Sequence, residues 1–316
     1  MHLKSVILAV FITLLPGFGL GAQETLKIHV SVLPQKFFVE QIVQDLADVD
    51  VLVAPGKSPT TYSPTPDQIR RLARADVYFR IGVPFENGFL HKLASMAPDI
   101  QVVDTRKGIQ LRDMETHIHE KEDPDKTDTH IHRHEPDAPP HGEKVPDSGH
   151  GIADGKDPHT WMNPLLVKQQ AKTIADTLSE LAPQHQDRFQ ANYRQFAHKL
   201  DQLYDRLHRL LAPLAGTNFF VFHPAFGYFA DVFDLNQIPV ETMGRSPKGK
   251  ELSAIIKLAR QEQARVIFVQ PQFDAQAARK IAQAVNGAVV SIDPLAYDYL
   301  NNLARMADTI SNALTP

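Results

Sequence analysis

Apolar and polar positions along this chain follow two rhythms, short apolar runs that suit strands and longer amphipathic stretches that suit helices. Leu26 to Val32 reads as a strand, Phe37 to Leu46 as a helix and Val49 to Val53 as a strand. Thr65-Pro66-Asp67-Gln68 predicts a helix start. Thr65 can cap, Pro66 fits the first helical position and Gln68 completes a capping box. Val77 to Ile81 and Ile100 to Val103 are further strands. Strands alternating with helices imply a parallel sheet covered on both faces.

Met114 to Lys156 breaks this pattern, being rich in Asp, Glu, His, Pro and Gly and nearly empty of large apolar residues. Such a segment cannot bury enough surface to offset its ordering entropy, so a disordered loop is expected. From Phe189 a new pattern begins. Phe189, Tyr193, Phe196, Leu200, Leu203, Leu207 and Leu210 recur at steps of four and three, one apolar stripe on a long helix between Pro183 and Pro213. The alternation then resumes, with strands at Phe219 to Phe222, Val266 to Val269 and Ala288 to Ile292. Helices fall at Lys250 to Gln261, Asp274 to Val285 and from about Tyr297.

The expected fold is α/β, with two lobes, each a mostly parallel sheet with flanking helices, joined by one long rigid helix. The divisions are a signal peptide over 1–22 and an N-terminal lobe over 23–186 that contains the histidine-rich loop 114–156. A linking helix over 187–212 and a C-terminal lobe over 213–316 follow.

Composition narrows the function. A hydrophobic fraction of 43% in 316 residues supports an ordinary core. A net charge of -4 argues against a nucleic-acid partner, which calls for a basic patch. Lys4, the apolar run Val6 to Leu15 and the small residues Gly19, Gly21 and Ala22 read as a secretory signal, too short to span a bilayer. With no cysteine there is neither a disulfide nor a lipid-modified thiol, which points to a soluble periplasmic protein without a lipid anchor; a monomer is expected. Any metal must then be held by histidine and carboxylate.

Histidine is where the chemistry concentrates. His117, His119, His130, His132, His134, His141 and His150 crowd the loop, which runs into Asp157-Pro158-His159-Thr160-Trp161. Imidazole is a common zinc ligand, so the tract is expected to offer auxiliary weak metal sites. A solvated linker has the same composition, and the tract by itself leaves the two readings level. His223 follows the strand Phe219 to Phe222, and Asp293 follows the strand Ala288 to Ile292. Ligands of open α/β sheets lie beyond such strand ends. Taken singly, His223 is more often a helix-start or core residue, and Asp293 an N-cap.

Together these residues resemble the periplasmic solute-binding proteins of zinc and manganese ABC importers. The likeness covers the chain beyond the signal. It runs through Leu33-Pro34, Pro55-Gly56 with Tyr62, Asp157-Pro158-His159-Thr160-Trp161 and the long helix. It continues through His223-Pro224-Ala225-Phe226-Gly227-Tyr228, Phe268-Val269-Gln270-Pro271-Gln272-Phe273 and Asp293-Pro294-Leu295. The resemblance implies an ion held between two lobes by His159, His223 and Asp293, then delivered to an ABC permease in the inner membrane.

One departure stands out. The family's first metal histidine falls within Ser58-Pro59-Thr60-Thr61-Tyr62, where the matching position is Thr60. Thr60 is therefore the candidate fourth position, and a hydroxyl is a poor zinc ligand. Water, a loop histidine such as His150, or His29 could fill the place. Three ligands plus water is also the pattern of catalytic zinc, so a zinc-dependent hydrolase and a periplasmic zinc buffer or chaperone stand as alternatives. No HExxH-type helix is present, and transport rather than an enzyme is expected. Zinc is favoured over manganese because imidazole suits zinc.

Overall fold

The computed structural model describes residues 25–115, 155–241 and 245–315. The expected signal peptide and the histidines at 117, 119, 130, 132, 134, 141 and 150 lie outside the described residues. The first half runs β1 (Leu26–Val30), α1 (Leu33–Val43), β2 (Ala47–Val51), α2 (Pro66–Leu72), β3 (Val77–Arg80), α3 (Pro84–Met96) and β4 (Gln101–Asp104). Two long helices follow, α4 (Pro164–Leu181) and α5 (Gln186–Leu211). The second half runs β5 (Asn218–Val221), α6 (Gly227–Phe233), β6 (Asn236–Pro239), α7 (Lys250–Gln261), β7 (Val266–Val269), α8 (Gln276–Ala284), β8 (Ala288–Ser291) and α9 (Tyr299–Leu314).

Both sheets are parallel throughout, with orders β2-β1-β3-β4 and β6-β5-β7-β8. The second half thus repeats the topology of the first. In each sheet the strand order reverses direction between the first and third strands, β1/β3 and β5/β7. The crevice outside their carboxyl ends is where such sheets bind ligands. All four residues of β7 are buried, as are Phe219, Phe220 and Val221 of β5, the signature of strands covered on both faces.

The α2 start is built as its sequence predicts. The Thr65 hydroxyl accepts from Gln68 N, and Gln68 Oε1 accepts from Thr65 N at 2.9 Å. The long helix α5 is 26 residues and so about 39 Å long at the standard rise. Phe189, Phe196, Leu200, Leu203 and Leu207 of the predicted stripe are buried. Near its start, Asn192 Nδ2 donates to Ile42 O at 2.8 Å, at the end of α1. Toward its end, Arg206 pairs with Asp308 of α9 at 2.8 Å. One rigid element thereby contacts helices of both halves. Among the described residues no helix is long and apolar enough to cross a membrane.

Candidate metal centre

Candidate side chains follow all four strands of the second sheet at its carboxyl edge. His223 lies just past β5, Glu241 past β6, Gln270 and Gln272 past β7, and Asp293 past β8. The turn carrying His223 is clamped by one amide. His223 N donates to Gln270 Oε1 at 3.1 Å, and Gln270 Nε2 donates to His223 O at 2.7 Å. Both residues are buried, so the clamp fixes the backbone from which the imidazole projects. Phe273 stacks on the ring at 4.8 Å between centroids.

The ring itself is oriented by a carboxylate. His223 Nδ1 and Glu241 Oε1 are 2.6 Å apart, and both side chains are buried. Glu241 reaches this place because its backbone N–H continues the β5–β6 pairing, donating to Phe222 O at 3.0 Å.

His159 repeats the arrangement from another part of the chain. Its Nδ1 lies 2.7 Å from Asp157 Oδ1, which also accepts the His159 backbone N–H at 2.9 Å. Asp157 is fully buried, and Pro158 between the two residues fixes the backbone. Burial lowers the His159 pKa, and the Asp157 carboxylate opposes that shift without overcoming it. The neutral ring is therefore the favoured form. A carboxylate accepting at Nδ1 selects the Nδ1–H tautomer, which leaves a lone pair on Nε2.

The two imidazoles stand face to edge, 5.2 Å between centroids at 76°. Each carries a buried carboxylate on Nδ1, the usual outer arrangement of metal-binding histidines. The segment carrying His159 is fastened to the second lobe. Tyr228 OH donates to Asp157 O at 2.9 Å, and Trp161 Nε1 donates to Pro294 O at 2.9 Å. Burial pushes the Tyr228 pKa up to about 12, so its hydroxyl keeps the proton it donates.

Asp293 is half-buried, with Oδ1 accepting from Gln272 Nε2 at 2.8 Å and from Leu295 N at 2.9 Å. Asn302 of α9 donates to its carbonyl at 2.7 Å. With Gln272 it faces a cavity of about 230 Å³ whose opposite wall is Val32, Val53, Gly56 and Lys57 of the first lobe. Thr60 sits half-buried in the loop between β2 and α2, its N–H on Ser58 Oγ at 3.3 Å. The structure brings His159 and His223 together. Among the described residues it does not gather three His, Asp or Glu side chains into one metal-binding set, so Asp293 stands off from the pair. His29 lies elsewhere, in β1 with Nε2 3.7 Å from Asp50.

Sequence reasoning missed the carboxylates behind the two histidines. The Asp157-Pro158-His159 spacing carries a local signal for one of them. Nothing local ties Glu241 to a histidine eighteen residues earlier.

Comparison with known proteins bears on the family and the fold. The ZnuA family model, described as zinc-uptake complex component A, periplasmic, matches residues 28–313. The high-affinity zinc uptake system protein ZnuA of Yersinia pestis is 27% identical over 99% of this chain and 98% of its own. Its Bacillus subtilis counterpart is 26% identical over 82% of this chain and 74% of its own. A crystal structure of ZnuA superposes with a TM-score of 0.78 at 34% identity, covering 92% of this chain and all of that one. A ZnuA deletion mutant with zinc bound gives a TM-score of 0.77 at 33% identity, covering 93% and 99%.

Proposed function

The chain belongs to the ZnuA family of periplasmic zinc-uptake components, and from that premise we propose how it holds its cargo. It captures zinc for an ABC-type importer. His159 and His223 bind the ion through Nε2, and Asp293 supplies a carboxylate oxygen. The observation that carries this reading is the pair of imidazoles 5.2 Å apart, each with Nδ1 committed to a buried carboxylate. That commitment orients the lone pairs, raises ligand basicity and leaves an ion as the natural occupant between the rings.

The ligand set favours zinc over manganese, since two imidazoles and one carboxylate are softer than an oxygen cage. Capture and release suit the geometry better than hydrolysis. Asp157 and Glu241 are both engaged at histidine nitrogens, so neither is placed as a general base beside the ion. The mature protein is soluble in the periplasm after removal of residues 1–22, acts as a monomer and hands the ion to an inner-membrane permease. The histidine-rich segment 114–156 serves as a set of weaker auxiliary sites.

The test is zinc titration of the mature protein against a chromophoric chelator. His159→Ala or His223→Ala is expected to weaken the tight phase at least about tenfold, the lower range for losing a group that sets metal affinity. Unchanged tight binding in the double variant overturns the assignment.

A further inference from the structure

Behind His159 lies a cation that the zinc site does not itself require. Arg112 belongs to a short stem in which residues 112–115 run antiparallel to 155–157. Met114 N donates to Gly155 O at 2.8 Å, Asp157 N donates to Arg112 O at 3.0 Å, and Lys156 pairs with Asp113 at 2.6 Å. The Arg112 guanidinium collects three carboxylates. Nη2 donates to Glu115 Oε1 at 2.6 Å, Nε lies 3.1 Å from Asp231 Oδ2 and Nη1 lies 3.5 Å from Asp157 Oδ2. The Tyr228 ring lies beneath it at 6.0 Å.

The Asp157 contact differs from the other two. Glu115 and Asp231 are 32% and 55% exposed, and Glu115 also accepts from Gln237 Nε2 at 2.8 Å, whereas Asp157 is fully buried. Its Oδ2 has no hydrogen-bond partner among the described residues. Arg112 is therefore the cation set against a buried carboxylate whose other oxygen orients His159. A buried charge without its partner is strongly unfavourable. Room for the pairing is made by Gly227, at the start of α6. A Cβ there would lie 1.3 Å from Arg112 Nη1 and 2.9 Å from Asp157 Oδ2.

We propose that Arg112 is a positioning residue for zinc binding, which fixes Asp157 Oδ2 so that Oδ1 stays on His159 Nδ1 and Nε2 faces the ion. The rotation of one carboxylate connects the two contacts. If Oδ2 loses its cation, the group turns toward another donor and Oδ1 leaves the imidazole. Only a planar fork reaches Asp157, Glu115 and Asp231 together, so lysine replaces the charge without the geometry. The proposal rests on His159 as a zinc ligand, and the experiment separates the two ideas.

Full-length Arg112→Gln, Arg112→Lys, Gly227→Ala, Glu115→Gln and His159→Ala proteins would be titrated with zinc and with cobalt. The tautomer of His159 in the metal-free proteins would be read from ring nitrogen chemical shifts. Arg112→Gln and Gly227→Ala are expected to weaken the tight site about tenfold, as loss of outer-layer partners does. Both should shift the visible cobalt bands and mix the His159 tautomers, and Arg112→Lys should recover part of each loss. Glu115→Gln is expected to leave affinity nearly unchanged, because partly exposed ion pairs contribute little. Wild-type affinity, cobalt bands and tautomer in folded Arg112→Gln and Gly227→Ala overturn the proposal. So does a Glu115→Gln loss as large as that of Arg112→Gln, which would make Arg112 a tie for the stem alone. If Arg112→Gln does not fold, Gly227→Ala decides, since it displaces the guanidinium and keeps its charge. If His159→Ala retains the tight site, the ligand assignment falls. If His159→Ala loses it and Arg112→Gln does not, only the positioning role falls.

Discussion

Trp161 Nε1 donates to Pro294 O across 2.9 Å, joining the turn that presents His159 to the turn that presents Asp293. The indole is buried and meets the His159 ring edge to face at 5.1 Å. Two turns whose bonded residues lie 133 apart in the chain are thus held by one side chain. The turns that carry His159 and Asp293 are joined by a bond that neither of those side chains makes.

Trp161→Phe should keep most of the packing and lose that bond. Leaving a buried carbonyl without its donor costs about 1–3 kcal/mol. A lower thermal midpoint is expected, with zinc affinity reduced several-fold because the ligand turns drift apart. Stability that falls while zinc affinity stays at the wild-type value would show that the bond does not set ligand spacing.

Glu241→Gln tests the support behind His223. The amide oxygen can still accept from Nδ1–H, so geometry is largely kept while the charge is lost. Outer carboxylates of this kind are worth about 10–100-fold in metal affinity. A loss in that range, with the fold intact, is expected in calorimetric titration. An unchanged dissociation constant would mean that Glu241 only packs against the ring.

Legibility from sequence differed between elements for physical reasons. The α5 stripe was readable because a long amphipathic helix repeats its signal over many turns. Its register still drifts. Tyr193 and Leu210 are only half-buried and Leu211 is fully buried, as the 3.6-residue period moves the face away from a fixed four-three count. The strand β6 was not readable. Asn236-Gln237-Ile238-Pro239 is an edge strand with little apolar signal, and its terminal proline is tolerated only at such an edge. Overlooking β6 concealed Glu241, whose place beside His223 exists only because β6 pairs with β5. His159 and His223 stood out as candidates because each sits beside a proline in a recognisable segment. Their proximity depends on the Tyr228 and Trp161 bonds, which no local pattern announces.

Acid should weaken the zinc-free protein partly through His29. Burial lowers the His29 pKa below its ordinary 6.5, against the pull of Asp50, and Nδ1 has no partner among the described residues. Above pH 6.5 both folded and unfolded states hold a neutral ring. As pH falls through that value the unfolded chain takes up a proton that the folded protein refuses, so stability declines until the folded pKa is reached. His29→Leu removes this group, and a shallower fall in unfolding free energy between pH 7 and about 5 is expected. An identical slope in variant and wild type would place the acid sensitivity elsewhere.

Thr60 provides the sharpest test of how the first lobe meets the ion. Its loop is anchored at Tyr62, whose hydroxyl reaches Leu52 O and lies 2.8 Å from Gln68 Oε1, with the ring against Phe85. Gly56 and Lys57 of the same loop line the cavity opposite Asp293. A longer side chain at position 60 would therefore start from a held backbone in a loop that supplies no strong ligand. Thr60→His is expected to tighten zinc binding on the order of tenfold, by completing three nitrogens and one carboxylate around a tetrahedral ion. The competing arrangement has a histidine of the 114–156 segment already in that place. Comparing the substitution in the full-length protein and in one lacking that segment separates the two. An open position gives a gain in both proteins. A position filled by the segment gives a gain mainly after deletion. No gain in either would show that residue 60 does not face the ion, and that this loop of the first lobe contributes no ligand.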